Sequence, residues 1–371
     1  MNFNEYLYVP TIRTRLAEMQ GVAELKSNTK QKILPFVELS KAHQVKQADK
    51  VFEKWNKAFL EPAIISIAND KPIRVEEYDT LLEDSNNFKN WQVFLDQLAN
   101  VNPNIIPAAQ ITSNCSRRAF LAQLKDLESR FGRVVLKVNP RSKREYQAAI
   151  YAASAITSIE KLLIIIENGQ ITPENQNKSL NSTTTLLNAL RQEDQSLEIV
   201  TSASSFPKSF PPYTTNKAKS YGEIPILEWQ NYHSFGGKDV AIYGDHASIH
   251  AMFYEARRAT FVARVDYPTP GTWIFERRQL ENKDDPRDVK YTEASRAIIQ
   301  NECWDEELEA WGKDIIIKSA EGILDKFKSQ SKWISVRVNL HIERTIEFLE
   351  QDIIGVPLSD FDETWEEEGE W

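Results

Sequence analysis

The sequence predicts an α/β fold, a (β/α)8 TIM-barrel-like and irregular barrel, followed by a C-terminal α+β extension. Two observations carry this expectation. Short apolar runs of the length expected for strands buried on both faces recur along the first two thirds of the chain. Segments of helical periodicity separate most of them, and that alternation marks a parallel sheet covered by helices.

In chain order the runs are "ILPFVEL" (33–39), "AIISIAND" (63–70), "NIIPAAQI" (104–111), "RVVLKVN" (133–139), "KLLIIIENGQI" (161–171), "LEIVTSAS" (197–204), "EIPILEW" (223–229) and "DVAIYGD" (239–245). Between the first six lie "ADKVFEKWNKAFL", "NWQVFLDQLAN", "SRRAFLAQLKDL", "SKREYQAAIYAASAI" and "STTTLLNALRQ", where apolar residues return every three or four positions. Eight strands within about 250 residues is the usual size of a closed barrel. The last crossovers are short, which points to irregularity there.

In such a barrel the carboxyl ends of the strands surround one mouth, where ligands and catalytic groups gather. Pro35, Pro107 and Pro225 each stand three residues before a polar group, respectively Glu38, Gln110 and Glu228, and the run Leu162 to Ile166 stops on Glu167. These are the first, third, fifth and seventh runs. Barrel interiors fill in layers of four from alternate strands, so Glu38, Gln110, Glu167 and Glu228 are expected in one layer. The other strands bring Lys137, Asp70 and Asp245 close by, with His246 adjoining.

Three crowded carboxylates need compensation. One solution is functional: Glu38, Glu167 and Glu228 hold a divalent metal, Mg or Mn, or face a small-molecule ligand. The catalytic candidates are then Glu38, Lys137, Glu167, Glu228, Asp245 and His246, with His246 moving a proton beside Asp245. The other is a structural network closed by Lys137 and by C-terminal arginines such as Arg264, Arg277 or Arg337. On the functional solution, Glu167→Gln relieves repulsion and changes function more than stability.

Composition narrows the classes. Among 371 residues the cysteines are Cys115 and Cys303, which implies no disulfide framework. "MNFNEYLYVP" has no leader pattern, and no apolar stretch approaches the roughly 20 residues of a membrane span. A cytoplasmic protein without membrane attachment is expected. The net charge of −9 disfavours broad nucleic-acid binding. No Walker loop, dinucleotide fingerprint or nucleophile elbow occurs.

Three regions are expected: a barrel over 1–257, the extension over 258–359 packed on it, and a tail over 360–371. The tail "DFDETWEEEGEW" holds seven acids and no basic residue, and without it the net charge is −2. Trp365, Glu366, Glu367, Glu368 and Trp371 form a candidate docking segment, aromatic anchors set among acids, for a partner's basic groove. In the extension, Arg337 and His341 share a face whether "SKWISVRVNLHIERTIEFLEQD" is helical or extended. They make a second candidate docking surface.

Finally, "YLYVPTIRTRLAEMQGVAEL", "ILPFVELS", "YGDHAS" and "WISVRVNLHIER" resemble the Beta family of prophage and satellite-phage proteins over about residues 6 to 345. The chain departs from that pattern at His246, where an aromatic is expected. The resemblance implies a gene beside a host-killing phage-defence protein, a toxin-antitoxin-like arrangement in which this protein restrains the killer by contact. It implies no catalytic residues. The competing expectation is a barrel enzyme with a carboxylate-lined, metal-dependent mouth acting on a phosphate- or sugar-containing molecule.

Overall fold

β-branched side chains fill both faces of a covered sheet well, and the aliphatic runs become buried parallel strands accordingly. A computed structural model describes residues 2–42, 44–254, 261–280, 282 and 286–351. The barrel strands are β1 (Tyr8–Arg13), β2 (Phe36–Leu39), β3 (Ala63–Ile67), β4 (Ile105–Ala109), β5 (Val134–Val138), β6 (Leu162–Gln170), β7 (Glu198–Ser204) and, after an intervening β8 (Tyr221–Pro225) that stands outside, β9 (Ile242–Asp245). β9 pairs with both β7 and β1, which closes the parallel ring.

Helices fill the crossovers. α1 (Leu16–Ala23) and α2 (Ser27–Lys32) precede β2, and α3 (Ala48–Ala58) precedes β3. α4 (Tyr78–Leu81) and α5 (Lys89–Val101) precede β4, while α6 (Arg117–Phe131), α7 (Lys143–Ala155) and α8 (Gln176–Glu193) fill the next three. Their ends follow local chemistry: Ser116 caps α6 by accepting from the Ala119 N–H at 3.1 Å, and Gly132 ends it at φ +70°.

Seven of the eight expected runs are barrel strands; 223–229 is not. Its first half is β8, antiparallel to β11 (Thr272–Gln279), and its second half opens α9 (Leu227–Ser234). The eighth place belongs to "YVPTIR", whose six residues are all buried. Pro10, Thr11 and Arg13 interrupt its apolar run, so hydrophobicity alone does not announce it.

The extension begins with β10 (Val262–Thr269), joined to β11 by a hairpin turn with Gly271 at φ +77°. β11 lies between β10 and β8, so the extension takes a strand from inside the barrel sequence. The boundary expected at 257 lies outside the described residues. α10 (Arg287–Ile299), α11 (Trp311–Ala320) and α12 (Gln330–Gln351) complete it. Among the described residues no helix is long and apolar enough to cross a membrane.

α12 is the central tie. Every residue from Ser335 to Ile346 is buried, so its polar side chains need partners inside the protein. Asn339 donates to the Gly21 carbonyl at 3.2 Å and accepts from the Gly312 N–H at 2.9 Å. Glu343 accepts from the Lys26 N–H at 2.8 Å and the Thr29 hydroxyl at 2.6 Å. α1 and α12 touch through Gly21, where a Cβ would lie 2.7 Å from the Ser335 carbonyl oxygen and 2.9 Å from Val338 Cβ.

Candidate functional site

Side chains alternate between the barrel interior and its outer wall. Inside lie Val9, Phe36, Ile64, Ile106, Ala108, Val135, Leu163, Ile165 and Val200, packed with Phe3 and Tyr6. Continuing each strand at period two toward its carboxyl end, the interior turns polar: Arg13, Glu38, Ser66, Gln110, Lys137, Glu167, Ser202 and His246, one from each barrel strand. Glu38, Gln110 and Glu167 thus share the predicted layer.

The charges in this ring are paired within the chain. Lys137 Nζ lies 2.6 Å from Glu38 Oε1 and Arg13 Nε lies 3.3 Å from Glu38 Oε2. Burial pushes the Glu38 pKa up, but Lys137 and Arg13 outweigh it and hold it at about 2. Glu167 accepts from His246 Nε2 at 3.1 Å, the Ser202 hydroxyl at 2.9 Å and the Gly169 N–H at 2.6 Å. Burial again opposes ionisation, and His246 and Lys137 overcome it, leaving Glu167 at about 2. Gln110 donates to the Ser66 hydroxyl at 3.3 Å. Asp70, in the loop beyond β3, lies 3.5 Å from Arg13 Nη2.

Repulsion is therefore not what Glu167→Gln would relieve. The folded carboxylate titrates below its ordinary value, so it contributes stability that is present above pH 4.5 and lost as pH falls toward 2. At pH 7 the substitution is expected to cost about 3 kcal/mol. Urea unfolding of both forms checks this, and equal stabilities would overturn it.

The remaining expectations for the mouth need correction. Glu228 is not at a strand end but in the first turn of α9, where it accepts from the Ser205 N–H at 2.9 Å. Gly244 and His246 point into the barrel, so Asp245 between them points out through the wall. There it accepts from the Tyr8 hydroxyl, the Tyr243 hydroxyl at 3.2 Å and the Ala247 N–H at 2.7 Å. Glu38, Glu167 and Glu228 consequently do not converge on one ion. Among the described residues no group of three or more His, Cys, Asp or Glu side chains forms a metal cage. Asp245 cannot orient His246, which turns to Glu167 instead.

Arg337 and His341 are 5% and 1% exposed and present no docking surface. Arg337 pairs with Asp266 at 3.1 Å and stacks on Phe206, while His341 Nε2 donates to Asp245 at 2.6 Å. Arg264 also pairs with Asp266, at 2.9 Å, so neither of these C-terminal arginines compensates the mouth. Arg13 does, and sequence reading missed it together with Ser66 and Ser202. The signal was the alternation Val9, Thr11, Arg13 in "YVPTIR". Trp365, Glu366, Glu367, Glu368 and Trp371 lie outside the described residues. Cys115 and Cys303 are free thiols.

The elements that build this arrangement, from β1 with Arg13 to the buried α12, lie within a stretch similar to known proteins. Residues 8–347 match the family model described as Beta protein. The chain is 30% identical over 349 residues to Protein beta of Enterobacteria phage P4, covering 94% of this chain and 95% of that protein. The match runs from the first barrel strand into the last described helix, so the chain belongs to the Beta protein family.

Proposed function

We propose that this protein restrains a co-encoded killer protein in a phage-derived defence locus, and that it acts by direct contact in the cytoplasm. The observation that carries the reading is the state of the barrel mouth. Glu38 and Glu167 are committed to Lys137, Arg13 and His246 and held ionised near 2. A carboxylate in that state neither donates a proton at neutral pH nor accepts one readily. These two carboxylates are thus suited to recognition rather than to acid-base turnover. Homology to a phage protein over nearly the whole chain supports the setting.

The tail supplies one contact. Seven acids with Trp365 and Trp371 in the last twelve residues combine electrostatic capture with aromatic anchoring. Truncation after Leu358 is expected to abolish protection from the killer and to weaken binding at low salt by at least ~10-fold. Cell survival and direct binding at low and moderate salt check it. Equal protection and equal affinity from the folded truncated form would overturn tail docking.

A further inference from the structure

The mouth is covered by the chain's own residues 249–253, which leave β9 through His246. Ala247 and Ser248 adopt φ +47° and +63°, a conformation that L side chains rarely take, and this turns the chain back over the barrel. The segment crosses the opening and is held from opposite sides. The Ser204 hydroxyl of β7 donates to the Ile249 carbonyl at 2.8 Å. Arg13 of β1 donates to the His250 carbonyl at 3.3 Å and to the Ala251 carbonyl. Gln170 of β6 accepts from the Ala251 N–H at 3.0 Å, and Asp70 beyond β3 accepts from the Phe253 N–H at 2.7 Å.

These bonds all go to main-chain groups of the segment. The segment bends at residues 249, 251 and 252, and four side chains placed around the barrel rim bond its carbonyls and N–H groups. They form a receptor for a short bent peptide, since every polypeptide offers the same groups. Of the side chains, Ala251 is buried, Met252 is 61% exposed, and the Phe253 ring lies 5.1 Å from the Arg15 guanidinium. That contact would select an aromatic residue.

We propose that residues 249–253 are a built-in occupant of a peptide-binding cleft at the barrel mouth, displaced by a segment of a partner protein that takes the same bent course and carries an aromatic side chain at the position of Phe253. The proposal deepens the contact reading and rests on it for the identity of the partner. It makes the closed mouth an autoinhibited state. The tethered occupant competes at an effective concentration on the order of millimolar, so only a better-matched or locally concentrated peptide replaces it.

The test uses the full chain and a labelled, end-blocked peptide of residues 248–254, Ser-Ile-His-Ala-Met-Phe-Tyr. The double variant Ala251→Pro, Phe253→Ala removes the donor to Gln170 and the ring on Arg15, which loosens the native occupant. It is expected to bind the peptide at least ~10-fold tighter than the unaltered protein does. Adding Asp70→Asn and Gln170→Ala should abolish that gain. No saturable binding to the folded double variant, or equal binding by both forms, would overturn the proposal.

Amide exchange gives a second arm that needs no variant. The Ala251 and Phe253 amides should exchange through local opening, far faster than Ile165 in the barrel core. Exchange as slow as that of Ile165 would make the segment a fixed part of the fold and overturn its role as an occupant. Neither arm contains the killer protein. Their failure leaves the contact reading standing, and failure of tail-dependent protection leaves the cleft standing.

Discussion

His341→Ala is expected to lower the unfolding free energy by about 3–5 kcal/mol, because it strips a buried carboxylate of its main partner. Asp245 and His341 are each 1% exposed, and Nε2 donates to Asp245 at 2.6 Å. On the other side of the ring, Trp273 Nε1 lies 3.3 Å from Nδ1. An indole only donates, so Nδ1 accepts and the proton sits on Nε2. Burial pushes the Asp245 pKa up, but His341 and the bonds from Tyr8 and Ala247 outweigh it and hold it below the usual value. Without the imidazole, the charge stays buried without its 2.6 Å donor, and the Trp273 N–H loses its acceptor. Equilibrium unfolding in urea at neutral pH measures the loss. His341→Gln, which places an amide donor near the same site, should recover part of it. A loss under about 1 kcal/mol for alanine would show that Tyr8, Tyr243 and Ala247 suffice.

Glu228→Gln is expected to have an effect of similar size that appears only as pH rises. Burial and then the neighbouring Asp245 push the Glu228 pKa from its ordinary 4.5 to about 8. Tyr8 and Tyr243 adjoin the same pair of carboxylates and are themselves driven well above the usual tyrosine range, so they stay neutral and add no further negative charge. The folded protein keeps the Glu228 proton between pH 4.5 and 8 while the unfolded chain has lost it. Folding therefore binds a proton across that window, and stability falls as pH rises through it. The full drop is about 5 kcal/mol. Glu38 and Glu167 titrate near 2 and cancel in a comparison at higher pH. Unfolding of both forms at pH 5 and pH 8.5 should give curves that diverge in favour of glutamine at the higher pH. Parallel curves would overturn the assignment.

Much of the barrel was legible because its strands are short, apolar and regularly spaced. Proline and aliphatic runs fixed the register of Glu38, Gln110 and Glu167 without any three-dimensional information. What failed was a matter of facing and pairing. Asp245 stands one position from His246, and in a strand that single step moves a side chain from the interior to the outer wall. Glu228 follows an apolar run like the others, yet the run breaks at Pro225 into an edge strand and a helix. β1 went unread because its interior face is Val9, Thr11 and Arg13, a polar progression that makes sense only at the rim of a mouth. Arg337 and His341 did point together, as periodicity required. Their burial followed from the strands and helices packed around α12, which no local pattern reports.

The seam between β1 and β9 sets a schedule for the protein's own synthesis. Tyr8 bonds Asp245 across 237 positions of chain, and the imidazole that completes the cluster arrives 96 positions later still. At the usual pace of about 5–20 residues per second, β1 waits on the order of tens of seconds for β9 to be made. During that interval its edge is unpaired, and contacts so distant in sequence form slowly once they can. A chain interrupted before α12 lacks the helix that covers this seam. The seam between β1 and β9 is thus completed only after α12 has been made, so the folded barrel lags behind the synthesis of β1 by at least that time.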